Sequence, residues 1–214
     1  MAATSRVRKD FMVDKVAGGT TTLTLRERNR RRTRREFLDA ALAVFAEMGY
    51  GSASVENIAA RAGASKVTLY SYFPQGREQL FRELYEEINT ELIDRVAEIY
   101  AVDGDFAAHV IAATAALMEV AQKPLVGRFY SIDDPALDEA LAPVRGHASH
   151  VIAKLIAEDL SAAKEADRLQ SEASPGAMAE LLVGAMRAAL NEVARENTAG
   201  ADVLEAMNAL ITDL

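Results

Sequence analysis

From residue 33 onward, apolar side chains recur every three or four positions, the period of a helix with one buried face. Thr33 and Glu36 have the spacing of a capping box, and Phe37, Leu38, Ala41, Leu42 and Phe45 follow as one stripe. Gly49 ends this first helix, and residues 50–53 form a loop. Ser54 caps a second, short helix with Val55, Ile58, Ala59 and Ala62 facing inward. Gly63 and Ala64 make a turn, Ser65 caps a third helix over residues 66–73, and Pro74 stops it. A long amphipathic helix is predicted over residues 77–100, with Leu80, Phe81, Leu84, Ile88, Leu92, Val96 and Ile99 as its stripe. Asp103-Gly104-Asp105 interrupts the pattern. Further helices are predicted over residues 106–122, 125–132, from Asp134-Pro135 to 166 with a kink or restart at Pro143, 175–197 and 201–214. No segment alternates with the two-residue period of a strand. The expected fold class is all-α, with about nine helices.

Composition narrows the chemistry. The chain has no cysteine, which excludes disulfides, thiolate metal sites and cysteine nucleophiles. No apolar run approaches the roughly 20 residues that span a bilayer, and no secretory apolar segment opens the chain. A cytoplasmic protein without a membrane partner is expected. The net charge of −8 is unevenly spread. Through Arg77 there are 14 Lys and Arg against 7 Asp and Glu, and from Glu78 onward 10 against 25. A chain with a basic first third and an acidic remainder can meet nucleic acid with one end. Ala17-Gly18-Gly19-Thr20-Thr21-Thr22 is polar and without period, so residues 1–29 are expected to form a flexible basic arm. Seven arginines and one glutamate lie within residues 26–35, which suits either a solvated face or a phosphate-seeking segment.

Residues 54–73 have helix-turn-helix dimensions: two short helices joined by a tight turn at Gly63-Ala64. The second of them presents Lys66, Thr68, Ser71 and Tyr72 outward and fits a major groove about 12 Å wide. The run Ser65-Lys66-Val67-Thr68-Leu69-Tyr70-Ser71-Tyr72-Phe73-Pro74, preceded by Gly49-Tyr50 and Ser54-Val55-x-x-Ile58-Ala59, resembles the TetR-type (tetracycline-repressor-like) transcriptional regulators. The resemblance extends from Phe37 through Phe81, and the rest of the chain matches in helix layout rather than in motif. Two positions depart from the family pattern. Val67 stands where many members have glycine or another small residue, and Gln75-Gly76-Arg77-Glu78 is one residue longer than the commonest connection. Lys66, Val67 and Ser71 are the candidates for base edges, Val67 through a thymine methyl or as a packing choice. Thr68, Tyr70, Tyr72 and Arg77 are the candidates for phosphates, which position without specifying. Leu69 and Phe73 are expected in the core. Tyr70 is either a phosphate contact or a packed ring, and Ser54 is a helix cap first and a DNA contact second.

The resemblance implies three regions: the arm at residues 1–29, a helix-turn-helix domain at 30–76, and an effector-binding and dimerisation domain at 77–214. One short helix reads about four base pairs, so two copies about 34–36 Å apart, or at a multiple of that, are expected on a palindromic operator. The resemblance places the homodimer contact in helices 175–197 and 201–214, where Ala185, Ala188 and Ala189 permit close approach. It also implies an unidentified small-molecule effector among the central helices, with Phe106, His109, Met118, Phe129, Tyr130, His147, Met178 and Met186 as candidate lining residues. An enzyme is the first rival. His147 and His150 lie three residues apart near Asp138 and Glu139, but no complete metal-ligand spacing, Gly-rich phosphate loop or nucleophile elbow is present. No cofactor, metal or catalytic residue is expected. The second rival is a helical interaction module, which leaves the basic first third unexplained. The combined expectation is a ligand-responsive, sequence-specific DNA-binding transcriptional regulator. The family prior makes it a repressor, released from its operator by a small apolar or amphipathic effector.

Overall fold

The computed structural model describes residues 24–132, 134–142, 144, 146–169 and 171–212, with backbone only for 138–140. Most of the expected arm and the restart at Pro143 lie outside the described residues. Among those described there are helices and connecting turns, and no strand, in agreement with the expected all-α class. The helices are α1 Leu25–Ser52, α2 Val55–Arg61, α3 Lys66–Tyr72, α4 Arg77–Ala101 and α5 Phe106–Gln122. They continue with α6 Pro124–Tyr130, α7 Ala136–Leu141, α8 His147–Glu165, α9 Pro175–Ala194 and α10 Gly200–Thr212.

The chain divides into two compact units, residues 1–36 and 37–214. In the first, α1 starts eight residues before the expected position at Thr33. The capping box is Thr24 with Glu27: the Glu27 amide donates to Thr24 Oγ1 (3.2 Å), and the Thr24 amide donates to Glu27 Oε2 (2.8 Å). The Thr24 amide and then the Thr24 hydroxyl (2.8 Å), both donating to Glu27 Oε2, hold the Glu27 carboxyl below the usual carboxylate range. The arginine-rich stretch is therefore helical from Leu25, which includes the last residues, 25–29, of the expected flexible arm. Thr33 and Glu36 lie inside the helix, where Glu36 pairs with Arg32 (3.6 Å).

The second unit has two hydrophobic clusters. One gathers Phe37, Leu38, Ala41, Val44 and Phe45 of α1 with Val55, Ile58 and Ala59 of α2. It also takes in Leu69, Phe73, and Leu80, Phe81 and Leu84 from the first turns of α4. The other gathers Leu92, Val96 and Tyr100 of α4 with the inward faces of α5, α8, α9 and α10. α9 packs against both α8 and α5, and α10 against α5. α4 contributes to both clusters, and Ile88 near its middle touches each.

Local chemistry explains the boundaries. The side chains of Ser54, Ser65 and Asp105 accept from the amides of Asn57, Thr68 and Ala108 and so cap α2, α3 and α5. Pro124 and Pro175 open α6 and α9, where a missing N–H costs nothing. Gly49 (φ 75°) breaks α1 where the sequence predicts its end, but residues 50–52 are helical where a loop is expected. Gly63 (φ 66°) closes α2: its amide donates to the Ala60 carbonyl (3.1 Å) and the Ala64 amide to the Ala59 carbonyl (2.9 Å). This terminus needs a left-handed residue, and glycine adopts that conformation without Cβ crowding.

Phe129, from α6, belongs to the first cluster, with Leu137 and Leu141 of α7. Its ring lies 4.4 Å from Phe81, which in turn lies 5.0 Å from Phe45 and 5.1 Å from Tyr50. Such pairs add about 0.5–1.5 kcal/mol each beyond burial. Replacing Phe129, which is 1% exposed, with alanine should destabilise the protein by about 3–5 kcal/mol. Urea denaturation checks this: the midpoint falls while the slope stays unchanged.

Candidate nucleic-acid interface

The candidate reading surface is built on α2, the Gly63 turn and α3. Leu69 and Phe73 are fully buried in the first cluster, as the sequence predicts. They fix one face of α3 against the core, and the opposite face is left to solvent. Val67 is 80% exposed, and Lys66, Tyr70 and Ser71 are exposed beside it. Thr68 and Tyr72 are half-buried. The Tyr72 ring packs 5.8 Å from Phe37, so its body anchors α3.

Hydrogen bonds decide what each of these groups can offer. Thr68 Oγ1 lies 2.8 Å from Ser65 Oγ, and the pair sits at the start of α3. Ser71 donates its hydroxyl proton to the Thr68 carbonyl (2.6 Å), which leaves its lone pairs to accept from a partner. Tyr70 has the Lys66 ammonium 5.9 Å from its ring centroid, a cation–π contact at the surface. Ser54 Oγ accepts from the Asn57 amide (3.1 Å), consistent with its reading as a cap.

Arg77, a phosphate candidate in the sequence, has one guanidinium nitrogen turned towards the backbone. Its Nη1 donates to the carbonyls of Tyr50 (3.2 Å), Gly51 (3.3 Å) and Ala53 (3.1 Å). The guanidinium carbon stands 4.6 Å from the Tyr50 ring centroid. Burial pushes the Tyr50 phenol up, and the Arg77 cation opposes that shift. The three carbonyls belong to the end of α1 and its loop, where backbone acceptors lack helical partners. Arg77 thus ties the start of α4 to the segment that carries α2.

Two ion pairs escape sequence reading because their partners lie far apart in the chain. Arg61 pairs with Glu47 through both terminal guanidinium nitrogens, Nη1 and Nη2 (2.5 and 2.8 Å), joining α2 to α1. Lys66 Nζ pairs with Glu56 Oε1, joining α3 to α2. The hydrogen bonds lower the Glu47 and Glu56 carboxyls and raise Arg61 and Lys66 from their ordinary values. The only local sign was opposite charges on neighbouring helices, and no spacing rule joins positions 10 or 14 residues apart.

Five of the eight effector candidates, Phe106, Met118, Tyr130, Met178 and Met186, belong to or pack against the second cluster, whereas Phe129 and His147 do not. Met118, Met178 and Met186 are buried in the second cluster, with Phe106 at its edge. Phe129 lies in the first cluster, and His147 is exposed at the start of α8. Tyr130 touches both clusters and donates to Asn89 Oδ1 (2.5 Å), and burial pushes its phenol up. His109 is buried between helices: Nδ1 lies 2.5 Å from Asp159 Oδ2 and Nε2 lies 3.1 Å from the Val102 carbonyl oxygen. A shallow groove between α4, α5 and α6 is lined by Ile88, Leu92, Val120 and Val126 and rimmed by Glu91, Arg95 and Lys123. None of the eight candidates lines it. Among the described residues, no three His, Asp or Glu side chains are placed to hold a metal ion.

Replacing Arg77 with glutamine should lower the unfolding midpoint of the DNA-free protein, with a loss of about 2 kcal/mol for charge-assisted bonds to backbone. Thermal unfolding without DNA is the measurement. An unchanged midpoint would mean that these bonds do not hold the start of α4 to the end of α1.

Comparison with known proteins fits this geometry. Residues 37–84 match the family model for bacterial regulatory proteins of the tetR family. A 63-residue stretch is 36% identical to the fatty acid metabolism regulator protein of Bacillus subtilis (strain 168), covering 29% of this chain and 32% of that protein. The match thus spans about a third of that relative. The fatty acid degradation regulator FadR of Bacillus halodurans superposes with a TM-score of 0.71 at 18% identity, covering 83% of this chain and 93% of that one. FadR of Bacillus subtilis, in complex with stearoyl-CoA, superposes with a TM-score of 0.66 at 17% identity, covering 81% and 96%. At these identities the structural likeness is one of fold. Residues 37–84 thus match the tetR family of bacterial regulatory proteins, and the chain as a whole shares its fold with FadR of Bacillus halodurans and with a TetR-family transcriptional regulator of Pectobacterium atrosepticum (TM-score 0.61 at 22% identity, covering 89% and 94%).

Proposed function

We propose that the chain is a ligand-responsive transcriptional regulator that binds double-stranded operator DNA as a homodimer. It acts as a repressor, released by a small apolar or amphipathic effector. The observation that carries this reading is the exposed face of α3, seated on buried Leu69 and Phe73 within the tetR-family module. A short polar helix held rigidly against a core is what a major groove accepts. Lys66, Val67 and Ser71 are assigned to base edges, and Thr68, Tyr70 and Tyr72 to phosphates. Residues 30–76 form the reading domain and 77–214 the effector and dimerisation domain. The cytoplasm is the compartment proposed, in keeping with the absence of any single helix, among the described residues, long and apolar enough to cross a membrane.

The dimer is assigned to α9 and α10. Leu181 is 75% exposed and Leu210 61% exposed. On α9 the exposed positions Ala177, Leu181, Ala185 and Ala188 follow helical spacing. Small residues around an apolar side chain suit close helix packing with a second copy. An effector that favours one arrangement of the dimer would shift operator affinity by its differential binding, typically about 1–3 kcal/mol. An acyl thioester is the first effector to try. The chain shares a fold with a FadR that was solved with stearoyl-CoA, and Met118, Met178, Met186 and Met207 give the second cluster an adaptable lining.

Selection of bound fragments from random duplex DNA should return a palindromic site. Log K for that site should fall linearly with log salt, at a slope of about −0.9 per phosphate contacted. Flat salt dependence would instead favour a helical interaction module. Lys66→Ala and Ser71→Ala should relax base preference in the same selection, by about 1–3 kcal/mol for each base-edge hydrogen bond removed. Tyr72→Phe should weaken all sequences alike. For the dimer, Leu181→Arg should shift sedimentation towards the monomer and reduce operator binding in parallel.

A further inference from the structure

We infer that Glu56 is a specificity-determining residue of the reading face, acting through Lys66. The inference rests on the proposal that α3 reads DNA and deepens it. α2 and α3 carry two cations, Arg61 and Lys66, and each is paired with an acid on a neighbouring helix. Lys66 is the one cation of α3, and its ammonium is in hydrogen-bond contact with Glu56 Oε1 while lying near the Tyr70 ring. Both side chains remain about half exposed, at 50% and 58%. A surface pair of this kind adds little to stability. Its consequence is for what Lys66 can bind.

An ammonium has three N–H donors. Glu56 takes one, and the others remain for a second acceptor. A neutral acceptor, such as guanine O6 or N7, can approach with the carboxylate still in place. A phosphate approaching the same ammonium meets the negative charge of Glu56 and is repelled. The pair thus filters acceptors by charge: base edges are admitted and phosphates discouraged. The carboxylate also holds the flexible Lys66 stem in one direction, which lowers the ordering cost of a defined base contact. Glu56 is a positioning residue here, with Lys66 as the group that touches the base.

The test compares the selected operator with a scrambled duplex of equal length, by fluorescence anisotropy of the full-length protein across a salt series. Glu56→Gln should tighten binding to the scrambled duplex about three- to tenfold. The salt slope on that duplex should steepen by about 0.9, the signature of one added phosphate contact. Operator affinity should change less than on the scrambled duplex, so discrimination falls. In a Lys66→Ala background, Glu56→Gln should leave scrambled-duplex binding within about twofold. Glu56→Ala should repeat the pattern, and thermal unfolding of each variant confirms that it is folded. The inference is overturned if Glu56→Gln tightens both duplexes alike, if its effect persists without Lys66, or if scrambled-duplex binding does not change. If the wild-type protein binds neither duplex with salt dependence, the DNA-reading proposal itself fails and this inference with it.

Discussion

Seven residues of helix do not hold together in water, because nucleation costs more than so few hydrogen bonds return. α3 is seven residues long, and it exists because Leu69 and Phe73 are driven into a core that α1, α2 and α4 have assembled around them. Everything asked of the reading face follows from that anchorage. The buried pair fixes the rotation of α3 about its own axis, which decides that Lys66, Val67 and Ser71 face solvent together. The Ser65 cap and the Gly63 turn then fix where the helix begins. Loss of the anchor would leave the right side chains on a chain with no defined surface.

The same core ties the reading head to the rest of the molecule. Phe81 is its hub: it touches Phe45, Tyr50 and Phe129, so α1 and the start of α4 share one aromatic cluster with α6. α4 then carries on into the second cluster through Leu92, Val96 and Tyr100. A close-packed interior transmits displacement because it has few voids to absorb it. A shift in α4 or α6 would therefore be felt under α3. This is the physical basis on which an effector bound among the later helices could change what the reading head presents.

Electrostatics divides the work differently from what charge counting suggests. The basic first third of the sequence invites a picture of many cations turned towards DNA. Arg77 instead satisfies backbone carbonyls, Arg61 is held by Glu47, and Lys66 is held by Glu56. The α2–α3 surface is close to neutral within itself. Such a surface offers hydrogen bonds and shape rather than net charge to whatever meets it.

Local rules act within a few residues, and what they govern was legible in the sequence. The helical class, the stripe that buries Phe37, Phe45, Leu69 and Phe73, the caps at Ser54 and Ser65, the turn at Gly63 and the proline starts all follow from short-range spacing. The capping box was misplaced because two segments, Thr24–Glu27 and Thr33–Glu36, satisfy the same rule. The local pattern does not distinguish which of them serves as the helix start. The roles of Arg77, Glu47 and Glu56, the placement of Phe129 among the rings of the reading head, and the exposure of His147 depend on partners brought near only when separate helices pack. The sequence alone determined which faces would be buried, because burial of apolar area follows periodicity along one helix. Only the tertiary structure decided which charges would be neutralised and by whom, because that depends on distances between elements that no local spacing contains.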